Sequence, residues 1–180
     1  GKSSFVMNVK KAGRMIRPYS SVNEVNFFRG AGTVINLGKS LLAAAFLSYK
    51  PIDASVDRDT IESTDFDTFG SIRFDGFHRT KTEIANKNSI HQTNAGIKLE
   101  YKLRNLKIAA NGLYTGFDEN LVRDEALYRK FLFSGKRLIN ASIDYSWRLR
   151  NLTFFGETAM SDNGGTAQLH GVLMGLDRRI

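Results

Sequence analysis

Ala95-Gly96-Ile97-Lys98-Leu99-Glu100-Tyr101-Lys102-Leu103 is apolar at every second position, and Arg104-Asn105 ends the run before a new one opens at Leu106. The pattern returns further on. Ile139, Ala141, Ile143, Tyr145, Trp147 and Leu149 alternate with Asn140, Ser142, Asp144, Ser146 and Arg148, and Arg150-Asn151 precedes another run at Leu152. Successive side chains of a strand point to opposite faces. Each run therefore predicts a strand with one apolar and one polar face. Its length matches the roughly 9–11 residues that cross a bilayer core in a tilted β-barrel. A half-buried strand of a soluble, lipocalin-like barrel reads the same way, with the apolar set inside. Length, charge and loop arrangement have to decide which face meets water.

At 180 residues the chain suffices for one domain with a core. It carries 26 basic and 18 acidic residues, a net charge of +8, and 42% hydrophobic residues. Mean hydropathy is −0.28. That is too polar for a helical membrane protein, whereas a transmembrane barrel is apolar only at alternate positions and escapes hydropathy averages. The absence of cysteine excludes a disulfide scaffold and a thiolate metal site. Gly1-Lys2-Ser3-Ser4-Phe5 lacks the apolar region of a signal peptide, and Asp177-Arg178-Arg179-Ile180 reads as a turn into another strand. The expectation is one barrel segment spanning 1–180, a fragment of a longer protein, with insertions at 11–31 and 51–91.

Strands are expected near 3–10, 32–38, 40–50, 92–103, 106–117, 137–149, 152–161 and 165–176. Gly38-Lys39, Arg104-Asn105 and Arg150-Asn151 are tight turns, with Gly and Asn accepting positive φ. The intervening connections are longer at 11–31, 51–91 and 118–136 and short at Ser161-Asp162-Asn163-Gly164-Gly165, and Pro18 and Pro51 are expected in connections. Short turns on one side and long loops on the other is the arrangement of outer-membrane barrels. Parity then requires that Phe69-Gly70-Ser71-Ile72-Arg73-Phe74 not cross the membrane. Within the same segment Thr80-Lys81-Thr82-Glu83 has the form of a capping box, predicting a helix over 81–88. The reading for this insertion is a plug or constriction carrying Arg73, His78, Arg79, Thr80, Glu83 and Lys87; an ordinary capped surface helix is the competing reading.

Lys98, Glu100, Lys102, Asp144, Arg148 and Glu157 share the polar face, the expected lining of a hydrated lumen. Tyr101, Tyr145 and Trp147 lie near the short-turn ends, and Tyr49, Tyr114 and Phe117 near the long-loop ends, as two interfacial aromatic bands. Ala43, Ala45, Ala110, Ala141, Gly112 and Gly171 are expected between them, facing lipid.

Chemistry-bearing motifs are sparse. His78, His91 and His170 lack ligand spacing, so no metal is expected. Asp65 and Asp67 lie in a polar loop that reads as solvated or as a weak calcium contact. No nucleophile elbow, P-loop or dinucleotide fingerprint occurs, and neither enzyme activity nor a cofactor is expected. The basic residues are dispersed; the densest groups are Lys10-Lys11-Arg14-Arg17 and Arg178-Arg179. They fit lipopolysaccharide phosphates at a barrel rim better than direct DNA binding.

Gly1-Lys2-Ser3-Ser4, Arg17-Pro18-Tyr19-Ser20-Ser21-Val22-Asn23-Glu24 and Asn26-Phe27-Phe28-Arg29-Gly30-Ala31-Gly32 are followed in order by Phe77-His78-Arg79-Thr80, Glu83-Ile84-Ala85-Asn86-Lys87-Asn88, Gly135-Lys136-Arg137-Leu138 and Phe155-Gly156-Glu157. Together they resemble the barrel region of Bacteroidota helix-hairpin-helix outer-membrane proteins. The resemblance runs along essentially the whole chain and implies an outer-membrane location and a large barrel. Proteins of that family carry helix-hairpin-helix modules similar to competence DNA receptors ahead of the barrel. Those modules have no counterpart here, so DNA binding transfers to no residue of this chain.

The resulting expectation is an all-β, antiparallel transmembrane β-barrel in the bacterial outer membrane, part of a larger barrel. It would act as a channel or as a component of a transport or assembly complex with other outer-membrane or periplasmic proteins. DNA uptake and a soluble barrel holding an apolar ligand are the alternatives.

Overall fold

The two alternating runs become two of the long strands in the middle of the sheet. The computed structural model describes residues 16, 19–20, 27–57, 68–122 and 133–175, and the expected strand at 3–10 lies outside them. In chain order the elements are β1 (Gly30–Leu37), β2 (Leu41–Ile52), β3 (Ala54–Asp57), β4 (Thr68–Ile72), α1 (Lys81–Ala85), β5 (Ile90–Lys102), β6 (Leu106–Leu121), β7 (Gly135–Leu149), β8 (Leu152–Ser161) and β9 (Thr166–Met174). Seven strands run in the order β1-β2-β5-β6-β7-β8-β9, each antiparallel to its neighbours. β1 and β9 are the two edges and do not pair with each other, so the described sheet is open. No described helix is long and apolar enough to cross a membrane.

β3 and β4 pair antiparallel off this path, and the start of β4 pairs with β6 in parallel at Thr68–Asn120 and Phe69–Leu121. The run at 69–74 thus takes no place between β2 and β5, which pair directly from Leu41–Tyr101 to Ile52–Ile90. That pairing narrows the insertion to residues 53–89 and moves Pro51 from a connection into β2, opposite His91. The imino ring is tolerated because Pro51 lies past the β1 ladder, which ends at Ser48 with Tyr49 N still donating to Arg29 O.

Several strands run longer than the alternation predicts. β6 continues to Leu121 and β7 begins at Gly135, because Phe117 and Leu121 gain partners from the insertion. The turns differ in detail too. Gly38 takes φ 78° as expected, but at the third tight turn Arg150, not Asn151, is left-handed at φ 52°, and Asn105 has no positive φ. The helix is shorter than expected, ending at Ala85 with Asn86 as C-cap. A capping box stabilises only a first turn, and the chain then turns at Asn88, φ 51°, to deliver Ser89 to β3.

Apolar packing concentrates at the long-loop end. Ile52, Ala54, Phe69, Ile90 and Leu121 form the core cluster, with Val56, Ile72, Phe117 and Phe133 against it. Phe69 and Ile90 are fully covered. The insertion is therefore anchored on the ends of β2, β5 and β6.

Candidate functional site: a polar sheet face and its long-loop rim

Register sorts the side chains. Lys98 opposes Asn111, which opposes Ser142; Glu100 opposes Ala109, then Asp144, then Glu157; Lys102 opposes Lys107; Arg148 opposes Thr153. All six residues expected on the polar face therefore lie on one side of the sheet. The other side carries Leu47 and Tyr49 of β2, Ile97, Leu99 and Tyr101 of β5, Ile108 and Tyr114 of β6, and Ile139, Ile143 and Trp147 of β7. Burial runs opposite to that of a water-soluble sheet. Ile97 and Ile143 are 56% and 61% exposed, whereas Asn94 and Glu100 are 4% and 2% exposed.

The polar face is cross-linked. Lys98 Nζ meets Asp144 Oδ2 at 3.0 Å. Asn111 Nδ2 donates to the same oxygen at 2.9 Å and to Ser142 Oγ at 3.0 Å. Asp144 and Glu157 stand opposite each other as like charges, a repulsion that Lys98 offsets. The buried Glu100 receives Lys102 at 3.3 Å on one oxygen and Lys107 at 3.2 Å on the other. Thr115 donates to Asn94, and Ser161 donates to Asn140. Arg148 and Glu157 lie on this face, both exposed. The face is not uniformly polar: Phe46 of β2 lies over Gly96, where a Cβ would overlap its ring.

The opposite face holds aromatic groups near both ends. Toward the short turns Trp147 packs on Phe154 with ring centroids 5.6 Å apart, and Tyr145 stacks with His170 at 5.9 Å above Gly156. Toward the long loops Tyr49 stacks on His91 at 5.1 Å. Two expectations fail here. Phe117 opposes Gln92 and Gly171 opposes Phe155, so both belong to the polar side by register. The sorting also fades at the β9 edge, where Gln168 and His170 fall on the apolar side opposite Thr158 and Gly156.

Above the sheet, the insertion is held by a residue that sequence reading missed. Asp53, 8% exposed, sits where β2 hands over to β3. Its Oδ1 accepts the Asn88 amide at 2.8 Å, and its Oδ2 meets His78 Nε2 at 2.7 Å. Ser89 Oγ adds a reciprocal pair with the Ala54 backbone. A lone aspartate after Pro51-Ile52 carries no pattern, so only the folded chain reveals it. The other insertion residues are distributed. Arg73 pairs with Asp75 at 3.0 Å, and that hydrogen bond holds the Asp75 carboxyl below its ordinary pKa. Arg79 lies 4.0 Å over the Phe77 ring. Thr80 and Glu83 complete the capping box as predicted. Amides of Arg79 and Thr80 donate to Glu83 at 2.7 and 3.0 Å, which lowers its pKa. Lys87 joins His78 in lining a pocket beside Asp53. Thus His78 and Lys87 come together, while Arg73 and Arg79 engage their own neighbours.

The three tight turns lie at the opposite end and each hydrogen-bonds the next strand: Lys102 N to Ser40 O, Arg148 N to Asn105 O and Gly175 N to Asn151 O. Comparison with protein-family models, curated proteins and solved structures finds no match to this chain.

Proposed function

We propose that this sheet is part of an outer-membrane β-barrel that works as a channel or as a component of a transport or assembly complex. Its Ile97–Ile143 face would meet lipid, and its Lys98–Asp144 face would line a hydrated lumen. The observation that carries the reading is the inverted exposure of β5 and β7. An open apolar face that spans several strands needs a non-aqueous partner, and charged side chains joined across strands suit a wet interior. The loop arrangement agrees: short turns at one end, and at the other the insertion, which packs through Ile52 and Ile90 on the side that carries Asn94 and Lys98. In this reading the insertion stands at the barrel mouth and narrows it. The resemblance to Bacteroidota helix-hairpin-helix outer-membrane proteins supports the same architecture. Closing such a barrel requires pairing partners for the β1 and β9 edges.

A soluble barrel around an apolar ligand is the weaker reading, because it would cover Ile97 and Ile143 and expose Glu100. Nucleic-acid handling draws on Lys39, Lys102, Arg104, Lys107, Arg148 and Arg150, which gather at the short-turn end. It predicts a binding constant that falls steeply with salt. The deciding experiment is purification with and without detergent, followed by insertion into planar bilayers. The proposal expects monodisperse protein only in detergent or lipid. Monodisperse protein in plain buffer overturns it. Stepwise conductance separates a channel from a non-conducting scaffold.

A further inference from the structure

Each of the tight turns carries one cation: Lys39 between β1 and β2, Arg104 between β5 and β6, and Arg150 between β7 and β8. Lys39, Arg104 and Arg150 are exposed, and none of them forms an ion pair among the described residues. Backbone bonds to Ser40, Asn105 and Asn151 tie each turn to the strand or chain beside it and hold the turns as one row along the sheet end. In sheet order successive turns are two strands apart, a separation of about 10 Å. Lys102, Lys107 and Arg148 add positive charge on the polar side, where Glu100 holds the first two. Beyond the row of Glu100 and Asp144, toward the turn tips, the described residues hold no carboxylate. The long-loop end is mixed by contrast, with Asp53, Asp75, Glu83 and Asp118 set among its basic residues. Immediately inside the turns the apolar side carries Tyr101, Leu103, Trp147 and Leu149, all exposed.

We infer that the short-turn rim binds the headgroups of anionic phospholipids through Lys39, Arg104 and Arg150. The inference rests on the outer-membrane reading and names a partner for one end of the sheet. A leaflet presents its phosphates as a plane, so cations spread along a rim match it. Guanidinium groups offer forks to phosphate oxygens and the lysine a point charge. Long basic side chains at the end of a membrane-crossing element reach the headgroup level, and Tyr and Trp beside them suit the interfacial layer. Nucleic acid fits the rim less well. Trp147 packs on Phe154 on the apolar side, and Phe155 on the polar side is buried, so no ring stands beside Lys102, Lys107 and Arg148 for bases to stack on.

The test is urea unfolding of protein inserted in vesicles of phosphatidylcholine alone and of an equimolar mixture with phosphatidylglycerol. The folding equilibrium constant should be larger in the mixture, by up to roughly fivefold for each engaged cation. High salt should erase the gain. The variant Lys39→Gln/Arg104→Gln/Arg150→Gln should lose it. The readout is a ratio between lipids, so a general destabilisation by the substitutions cancels. Lys39→Gln alone is the second variant if the triple one does not fold, and it should reduce the gain by roughly fivefold. Arg79→Gln/Lys81→Gln/Lys87→Gln, at the long-loop end, should keep the gain. Equal folding in both lipids, or equal loss in the two triple variants, overturns the inference while the barrel stands. Failure to insert into either vesicle overturns the barrel reading and this inference with it. Binding of a short DNA duplex that the turn variant loses, with no phosphatidylglycerol gain, assigns the rim to nucleic acid and overturns the lipid assignment.

Discussion

The ammonium of Lys98 on β5 reaches past β6 to the carboxylate of Asp144 on β7, meeting it at 3.0 Å. Asn111 of β6 donates to the same oxygen, so one carboxylate oxygen ties together three strands of the polar face. Asp144 directly follows Ile143, which is 61% exposed on the other side. One residue step along β7 passes from a linked charge to an open apolar surface.

This juxtaposition makes Ile143 and Asp144 the sharpest probe of orientation. Ile143→Arg is expected to impair assembly in lipid vesicles by about 2–4 kcal/mol, the cost of arginine at a bilayer midplane. Asp144→Asn should lose only about 0.5–1 kcal/mol, since its ion pair is partly exposed. Urea titration of vesicle-inserted protein reads both. If Ile143→Arg is neutral or more soluble, the apolar face is wet.

Glu100 separates Lys102 and Lys107, which face each other across β5 and β6. Glu100→Gln leaves two ammonium groups opposed and is expected to cost about 1–3 kcal/mol. Adding Lys107→Met should recover part of that loss. A double-mutant cycle by denaturant unfolding measures the coupling, and strict additivity would show that the carboxylate does not bridge them.

Asp53→Ala should loosen the insertion more than it loosens the sheet. It strips the acceptor from the Asn88 amide and from His78, and an orphaned donor of this kind costs about 1–3 kcal/mol. Hydrogen exchange should accelerate at Asn88 and Ala54 while Ile97 and Ile143 keep their protection. Uniform acceleration would mean that the rim and the sheet unfold as one unit.

The capping box is expected to weaken in acid. Backbone amides hold the Glu83 pKa below its ordinary value. A carboxylate with a depressed folded pKa stabilises fully above its unfolded pKa, near about 4.3, and loses that contribution as pH falls through the folded value. Amide exchange at Arg79 and Thr80 should therefore rise below about pH 4 in wild type. In Glu83→Gln the rise should be absent. Thr80→Ala should cost about 1 kcal/mol of local stability at any pH, through loss of the N-cap.

Cysteines at Asn105 and Asn151 lie in the tight turns, and cysteines at Lys81 and Asn163 lie at the long-loop end. In intact cells a membrane-impermeant maleimide should label the second pair and spare the first. The reverse pattern would invert the topology, and equal labelling of all four would remove the barrel from consideration.

The seven strands of the main path, and the alternation of faces along β5 and β7, were legible in the sequence, whereas β3 was not. Period-two alternation is a local property, written in consecutive residues such as Ala95 to Leu103, and the alternation of tight turns with long connections sets the direction of each strand. The capping box at Thr80–Glu83 is equally local, so it was legible, although the end of its helix was not. What depends on register between strands far apart in the chain was set only on folding. Which polar residues meet, Lys98 with Asp144 and Glu100 with Lys107, follows from cross-strand offsets that no single run contains. The placement of Phe117 and Gly171 on the polar side, against expectation, has the same origin. Asp53 gained its role only when folding brought His78 and Asn88, distant in sequence, to its two oxygens, because a hydrogen-bond acceptor acquires meaning from its donors and not from its neighbours in the chain.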